Sequence, residues 1–277
     1  MKGIIPLRFS LAACAAVFVV SGAAADDASP WDGDVRSAAR LIAGTPSADS
    51  AQRAGVELRL KPGWHTYWRY PGDAGVPPQF DFKGSRNVKD VEVLWPAPER
   101  LREEGNTSIG YASDVIFPLR VVPQDAREPV VLRLKLDYGV CEKQCVPAGA
   151  VAELTLPKGA TSRNDALTAA EAQVPRKVGL GESGPLAIRM VRREDGSPRA
   201  RIVVDLAGPA GTDLFAEGPT PQWALPVPEP IDGAPSGLKR FAFELDGVPP
   251  GESDRNALIT LTAVAPGQAI EVAIRLD

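Results

Sequence analysis

The sequence predicts an all-β chain made of two β-sandwich modules in tandem, joined by a short helical linker. Three observations carry that expectation. Short runs of alternating apolar and polar residues recur along the chain. Turn formers punctuate them throughout, with 27 prolines and 26 glycines in 277 residues. The alternation stops between Pro157 and Gly184, where a stretch of helical composition stands alone. Once an expected leader is set aside, a chain of this length suits one large or two ordinary domains.

The leader comes first. "MKGIIPLRFSLAACAAVFVVSGAAA" (1–25) has a basic start at Lys2 and Arg8, an apolar stretch from Phe9 to Val20 and a small-residue exit at Ala23 to Ala25. These are the parts of a secretory signal peptide, with cleavage expected near Ala25. The apolar stretch is short for a bilayer span, and no later segment approaches about 18 consecutive apolar residues. The mature chain is therefore expected to be soluble and exported. "LAAC" (Leu11 to Cys14) supplies a lesser alternative, in which Cys14 is the acylated residue of a lipoprotein. Against it, only five residues separate Arg8 from Cys14, and the apolar stretch continues beyond the cysteine. Losing Lys2 and Arg8 leaves 29 basic against 35 acidic residues, a net charge near −6. That balance argues against nucleic acid or an anionic membrane as a partner.

After a polar entry, "VELRL" (Val56 to Leu60), "VEVLW" (Val91 to Trp95), "FPLRV" (Phe117 to Val121) and "LRLKLDY" (Leu132 to Tyr138) each alternate with period two. Each reads as a strand with one buried face. In the last of them, Leu132, Leu134, Leu136 and Tyr138 point to the core while Arg133, Lys135 and Asp137 point to water. "AELTL" (Ala152 to Leu156) is its expected partner, which places Cys141 to Pro147 at the tip between two strands. "GWHTYWRY" also reads as a strand. Trp64 and Trp68 share one parity and Tyr67 has the other, so some rings are expected to face the core and others outward, core packing being favoured. "NDALTAAEAQ" (Asn164 to Gln173) reads as a short connecting helix, with Ser162 or Asn164 as cap and Pro175 beyond its end. "LAIRM" (Leu186 to Met190), "RIVVDL" (Arg201 to Leu206), "FAFEL" (Phe241 to Leu245), "LITLTAV" (Leu258 to Val264) and "IEVAIRL" (Ile270 to Leu276) then form a second β-rich block. Its turn spacing suits an immunoglobulin-like sandwich.

The chemistry-bearing feature is "LDYGVCEKQCVPAGA" (Leu136 to Ala150). In an exported protein, Cys141 and Cys145 are first of all candidates for a structural disulfide. So local a bridge is a modest staple, however: closing a loop of about five residues stabilises by about 2 kcal/mol, against about 4.7 for one of about 100. A zinc site wants four ligands, and beyond the two cysteines the chain offers one histidine, His65, distant in sequence. For copper, Met190 is the one methionine outside the leader. No metal or organic cofactor is expected. His65 is also the sole candidate base for cysteine-protease chemistry, and inside an alternating run it reads better as a packed strand residue. A redox couple needs two thiols able to approach to bonding distance, one of them accessible, and a C-x-x-x-C loop meets that need. Lys143 favours a thiolate and Glu142 opposes it. Residue chemistry alone thus leaves the staple and the redox couple both open.

"GWHTYWRYPGDAGVPPQF" (Gly63 to Phe80), "WPAPERLREEGNTSIGYASDVIFPLRV" (Trp95 to Val121) and "LDYGVCEKQCVPA" together resemble the N-terminal periplasmic domain of the DsbD thiol:disulfide interchange proteins. The resemblance covers roughly residues 48 to 157. It is nearest to the ScsB-type branch, whose second immunoglobulin-like module "DLFAEGP" (Asp213 to Pro219) is also similar to. The resemblance implies an immunoglobulin-like sandwich in the periplasm with a reversible cysteine pair. It implies partners as well: oxidised periplasmic thioredoxin-fold proteins and a membrane electron-transfer protein. By position, Cys145 matches the cysteine that attacks a substrate disulfide and Cys141 the one that resolves the intermediate. "REEGNTSIGY" (Arg102 to Tyr111) falls where the family has a cap loop, making Glu103, Glu104, Gly105 and Asn106 candidate cap residues. Tyr111 and Tyr138 are candidates to help cover the pair.

Three departures accompany the likeness. Three residues separate the cysteines where the best-known members have five. The usual aromatic tip of the cap is replaced by Glu103, Glu104 and Asn106. No segment to Asp277 resembles a transmembrane or thioredoxin-like domain, so electrons are expected to come from a separate membrane partner. The expected organisation is a signal peptide (1–25), a redox domain (26–157), a linker with a short helix (158–184) and a second immunoglobulin-like domain (185–277). The expected activity is thiol:disulfide interchange of the protein-disulfide reductase kind. Its rival is a non-catalytic periplasmic binding or assembly module in which the pair is a fixed staple.

Overall fold

The computed structural model describes residues 26–46, 51–103, 105–159, 161–196 and 199–277, with the side chain of Glu103 left aside. The expected signal peptide, Cys14 and Glu104 lie outside the described residues. In chain order the first half carries β1 (Asp32–Gly33), β2 (Ser37–Ala43), β3 (Gln52–Leu60), β4 (His65–Gly72), β5 (Gln79–Asp81), β6 (Val88–Val93), β7 (Glu99–Glu103), β8 (Asn106–Tyr111), β9 (Val115–Pro123), β10 (Val131–Cys141) and β11 (Cys145–Thr155). One sheet has the order β1-β2-β3-β9-β6, the other β11-β10-β4-β8-β7 with β5 also on β10. Leu41, Val56, Leu58 and Phe117 from the first meet Leu132, Leu134, Leu136 and Trp68 from the second in the core, all at most 3% exposed. The alternation read from "LRLKLDY" is what fills this core, because period two turns every second side chain inward.

α1 (Asn164–Glu171) follows, then β12 (Arg176–Lys177), β13 (Ala187–Glu194), β14 (Arg201–Ala207), β15 (Asp213–Glu217), β16 (Glu229–Ile231), β17 (Lys239–Glu244), β18 (Leu258–Ala265) and β19 (Gln268–Arg275). They build two four-stranded sheets, β12-β19-β18-β15 and β13-β14-β17-β16. The chain is thus all-β, two tandem immunoglobulin-like sandwiches with one helix between them. The short β12 lies within the stretch expected as linker, and it pairs in parallel with β19.

The helix is more than a connector. Leu167 is fully buried, and it fits where Gly44 has no side chain; a Cβ there would lie 2.5 Å from the Leu167 methyl. Arg53 on β3 holds the helix by donating to both Glu171 carboxylate oxygens, to Asn164 Oδ1 and to Thr168 Oγ1. The cap differs from expectation. Arg163 occupies the N-cap position without a side-chain hydrogen bond, because Asn164 is engaged by Arg53 and the Thr45 N–H.

Between the sandwiches, Arg69 on β4 pairs with Glu217 and Glu271. Arg100 on β7 pairs with Asp213 and Glu229 and donates to the Pro228 carbonyl. The Tyr70 hydroxyl donates to the Leu225 carbonyl, and Trp68 packs on Phe215 at 6.1 Å. On the far side of the first sandwich β11 is an edge strand, where the Val151 N–H donates to Asp32 Oδ2 and Pro147 offers no N–H at all.

Candidate active site

β10 and β11 form a hairpin whose register sets Cys141 opposite Cys145 across the turn Glu142 to Gln144. The two cysteines are disulfide-bonded, with Cα atoms 4.1 Å apart. Their surroundings differ. Cys141 ends the buried strand and is 1% exposed, whereas Cys145 opens the edge strand and is exposed to solvent. One sulfur faces a visitor and the other does not.

β4 lies on the other side of β10, pairing Thr66 with Val140 and His65 with Cys141. From this strand the Tyr67 hydroxyl reaches both sulfurs, at 2.6 Å from Cys141 Sγ and 3.1 Å from Cys145 Sγ. A disulfide sulfur has no proton, so the phenol donates. Two glycines make room for its ring. A Cβ on Gly75, where φ is +129°, would lie 2.4 Å from the ring, and one on Gly139 would lie 3.2 Å from it. The Gly139 N–H also donates to the Val76 carbonyl, which ties the loop after β4 across the end of β10. His65 is buried and meets the Tyr67 ring edge-on at 5.6 Å.

The rings of β4 correct one expectation. Trp68 and Tyr70 join the core, as their parity implies, but Tyr67 on the opposite face does not face outward and is 1% exposed. The physical reason is the Gly75–Val76 loop, which covers that face and turns it into a second buried layer. This loop, invisible to periodicity, is why sequence reasoning missed Tyr67. The usable signal was "GDAG" beside an aromatic strand, two glycines flanking a tight return.

Of the tyrosines proposed as covers, Tyr138 lines the cavity beside Cys145 and shares a 2.8 Å hydrogen bond with Ser37. Burial pushes its phenol up despite that bond, so it stays neutral near pH 7. Tyr111 sits elsewhere: it donates to the Pro96 carbonyl and packs against Phe117, and burial holds its phenol well above the usual value.

The candidate cap is the β7–β8 hairpin, closed by Glu103 opposite Asn106 with Gly105 at φ +84° in the turn. Asn106 and Gly105 are exposed. The hairpin connects to the site indirectly. Thr107 and Asp73 exchange hydrogen bonds, and Ser108 Oγ donates to the Ala74 carbonyl, just before the loop that covers Tyr67. Among the described residues, no group of three or more His, Cys, Asp or Glu is placed to hold a metal. No helix among them is long and apolar enough to cross a membrane.

Chemically, the arrangement offers one accessible sulfur for attack and a buried sulfur as leaving group. Negative charge developing on Cys141 falls 2.6 Å from a phenolic O–H, and a hydrogen bond to the charged form favours it.

Comparison with known proteins agrees with this geometry. Residues 35–157 match the family "Thiol:disulfide interchange protein DsbD, N-terminal". The crystal structure of the N-terminal periplasmic domain of ScsB from Proteus mirabilis superposes with a TM-score of 0.68 at 20% identity, covering 90% of this chain and 98% of that one. At that identity the likeness speaks for the fold, and it spans both sandwiches. No curated protein matches the chain in sequence. The first sandwich, with its paired Cys141 and Cys145, is thus the part of the chain that matches the N-terminal domain family of the DsbD thiol:disulfide interchange proteins.

Proposed function

We propose that the chain is a periplasmic thiol:disulfide exchange protein that relays electrons from a membrane reductase partner to oxidised thioredoxin-fold proteins. The observation that carries this reading is the asymmetry of the pair: Cys145 exposed, Cys141 buried, and the Tyr67 hydroxyl on both sulfurs.

In the loading half-reaction, a thiolate of the reductant attacks Cys145 Sγ, the Cys141–Cys145 bond breaks, and Cys141 leaves as a thiolate beside Tyr67. The reductant's second thiolate then displaces Cys145, so the reductant departs as a disulfide and this chain holds two thiols. In the delivery half-reaction, the Cys145 thiolate attacks the substrate disulfide and expels one substrate sulfur as thiolate. Cys141 then attacks Cys145 Sγ, which restores the internal disulfide and releases the substrate as a dithiol. Two electrons pass, two protons follow, and no organic cofactor takes part. The β7–β8 hairpin, with Glu103, Gly105 and Asn106, acts in this reading as the cap, its movement reaching the pair through Asp73, Ala74 and the Gly75–Val76 loop.

The test is thiol transfer from the reduced protein to oxidised thioredoxin-fold proteins, together with the reduction potential of the pair. Transfer that disappears in Cys145→Ser, with a potential above about −300 mV, supports the reading. A potential well below that value and no transfer to any partner would mark a fixed staple and overturn it. In cells, Cys141→Ser should leave Cys145 trapped in a mixed disulfide with its partner.

A further inference from the structure

The exposed sulfur lines a cavity of about 260 Å³ whose walls include Tyr67, Val76, Tyr138, Val146 and Pro147. That is smaller than the roughly 300–1,000 Å³ of small-molecule sites, and it suits one or two side chains. None of its walls carries a charge. Both hydroxyls are already occupied, Tyr67 by the sulfurs and Tyr138 by Ser37. What remains is hydrocarbon, and Val76, 58% exposed, leaves an aliphatic surface in water next to the reactive atom.

Resting on the exchange reading, we propose that this pocket receives an apolar side chain next to the attacked cysteine of a partner protein, and that Val76 thereby selects which disulfides are exchanged. The geometry of the mixed disulfide requires some neighbour to be there. A sulfur bonded to Cys145 lies about 2 Å away, and the next residue of the partner has its Cα about 3.8 Å along the chain. Its side chain consequently falls within reach of a cavity that Cys145 itself lines. An apolar neighbour gains burial against Val76, Val146 and Pro147. A carboxylate in the same place would lose water and find no cation among the walls.

The experiment uses the reduced full chain and three probes: 2-hydroxyethyl disulfide and two cyclic peptide disulfides, Cys-Leu-Gly-Cys and Cys-Asp-Gly-Cys. The native chain is expected to reduce the Leu peptide about tenfold faster than the Asp peptide, the scale of discrimination a small hydrophobic pocket gives. Val76→Lys is expected to invert that preference, which loss of structure alone would not do. Equal rates for the two peptides, or a preference that Val76→Lys leaves in place, overturns the pocket while 2-hydroxyethyl disulfide still reacts. If no probe reacts, the exchange reading fails and the inference fails with it.

Discussion

At the scale of single residues, the pair is hydrogen-bonded by a phenol that the sequence reading set aside as one ring in an aromatic row. Tyr67 donates to both sulfurs from a ring enclosed by Gly75 and Gly139. Tyr67→Phe keeps the ring and deletes the donor. A hydrogen bond to a charged group contributes about 1.5–3 kcal/mol, and about 1.4 kcal/mol is a factor of ten. Exchange by Tyr67→Phe is therefore expected to slow by at least about tenfold, with a chemical-denaturation midpoint close to native. Losing a donor to the thiolate raises the pKa of Cys141, so the pH profile of the variant should move to higher pH. Stopped-flow exchange kinetics across pH check both. A second residue-scale expectation concerns Asp205, 1% exposed on β14 and bonded through both carboxylate oxygens to Arg240 across the sheet. The Arg240 hydrogen bonds hold its carboxyl below the usual 3.8. A depressed folded pKa gives stability that is complete above the unfolded value and is lost as pH falls through the folded one. Acid unfolding below pH 3.8 should therefore be shallower in Asp205→Asn than in the native chain, as followed by tryptophan fluorescence.

At the scale of elements, the helix tests how firmly the stretch between the sandwiches is fixed. Leu167 is fully buried beside Gly44, and Leu167→Ala should cost about 2–4 kcal/mol by the usual cavity cost of a core leucine, measured by urea unfolding. The strands show what was legible. The eleven runs read as strands from sequence all lie on or overlap strands of the structure, most plainly where one face is buried and the other wet, as in "LRLKLDY". β2 was missed for the opposite reason: in "SAARLIA" six of seven residues are buried, so burial on both faces erased the period. The cysteine hairpin was placed correctly by alternation on either side of it, since β10 ends at Cys141 and β11 begins at Cys145. The depth difference between the two sulfurs was not legible, because it depends on β4 and the Gly75–Val76 loop, which arrive from some 70 residues earlier in the chain.

At the scale of the molecule, the sandwiches meet through charge as well as through Trp68 and Phe215. Arg100 is nearly buried, with a side chain 6% exposed, and it serves two carboxylates and a carbonyl at once. Arg100→Ala removes charged hydrogen bonds of about 2 kcal/mol in sum after allowance for the half-exposed Glu229. Proteolysis within residues 158–184 should then quicken relative to the native chain, on a gel time course under native conditions. Arg69 shares its strand with Tyr67, so the second sandwich grips the very element that carries the phenol. The open margin of the first sandwich has a further consequence. On β11 the Val151 N–H faces away from the sheet toward Asp32, and by strand parity Pro147 takes another such outward position and has no hydrogen to give. A neighbouring sheet looking for a ladder to continue finds the rung at Val151 spoken for and the one at Pro147 missing. With those two rungs out of use the margin is a poor template for sheet-to-sheet zipping, and what it leaves open to another protein is the exposed Cys145 beside them.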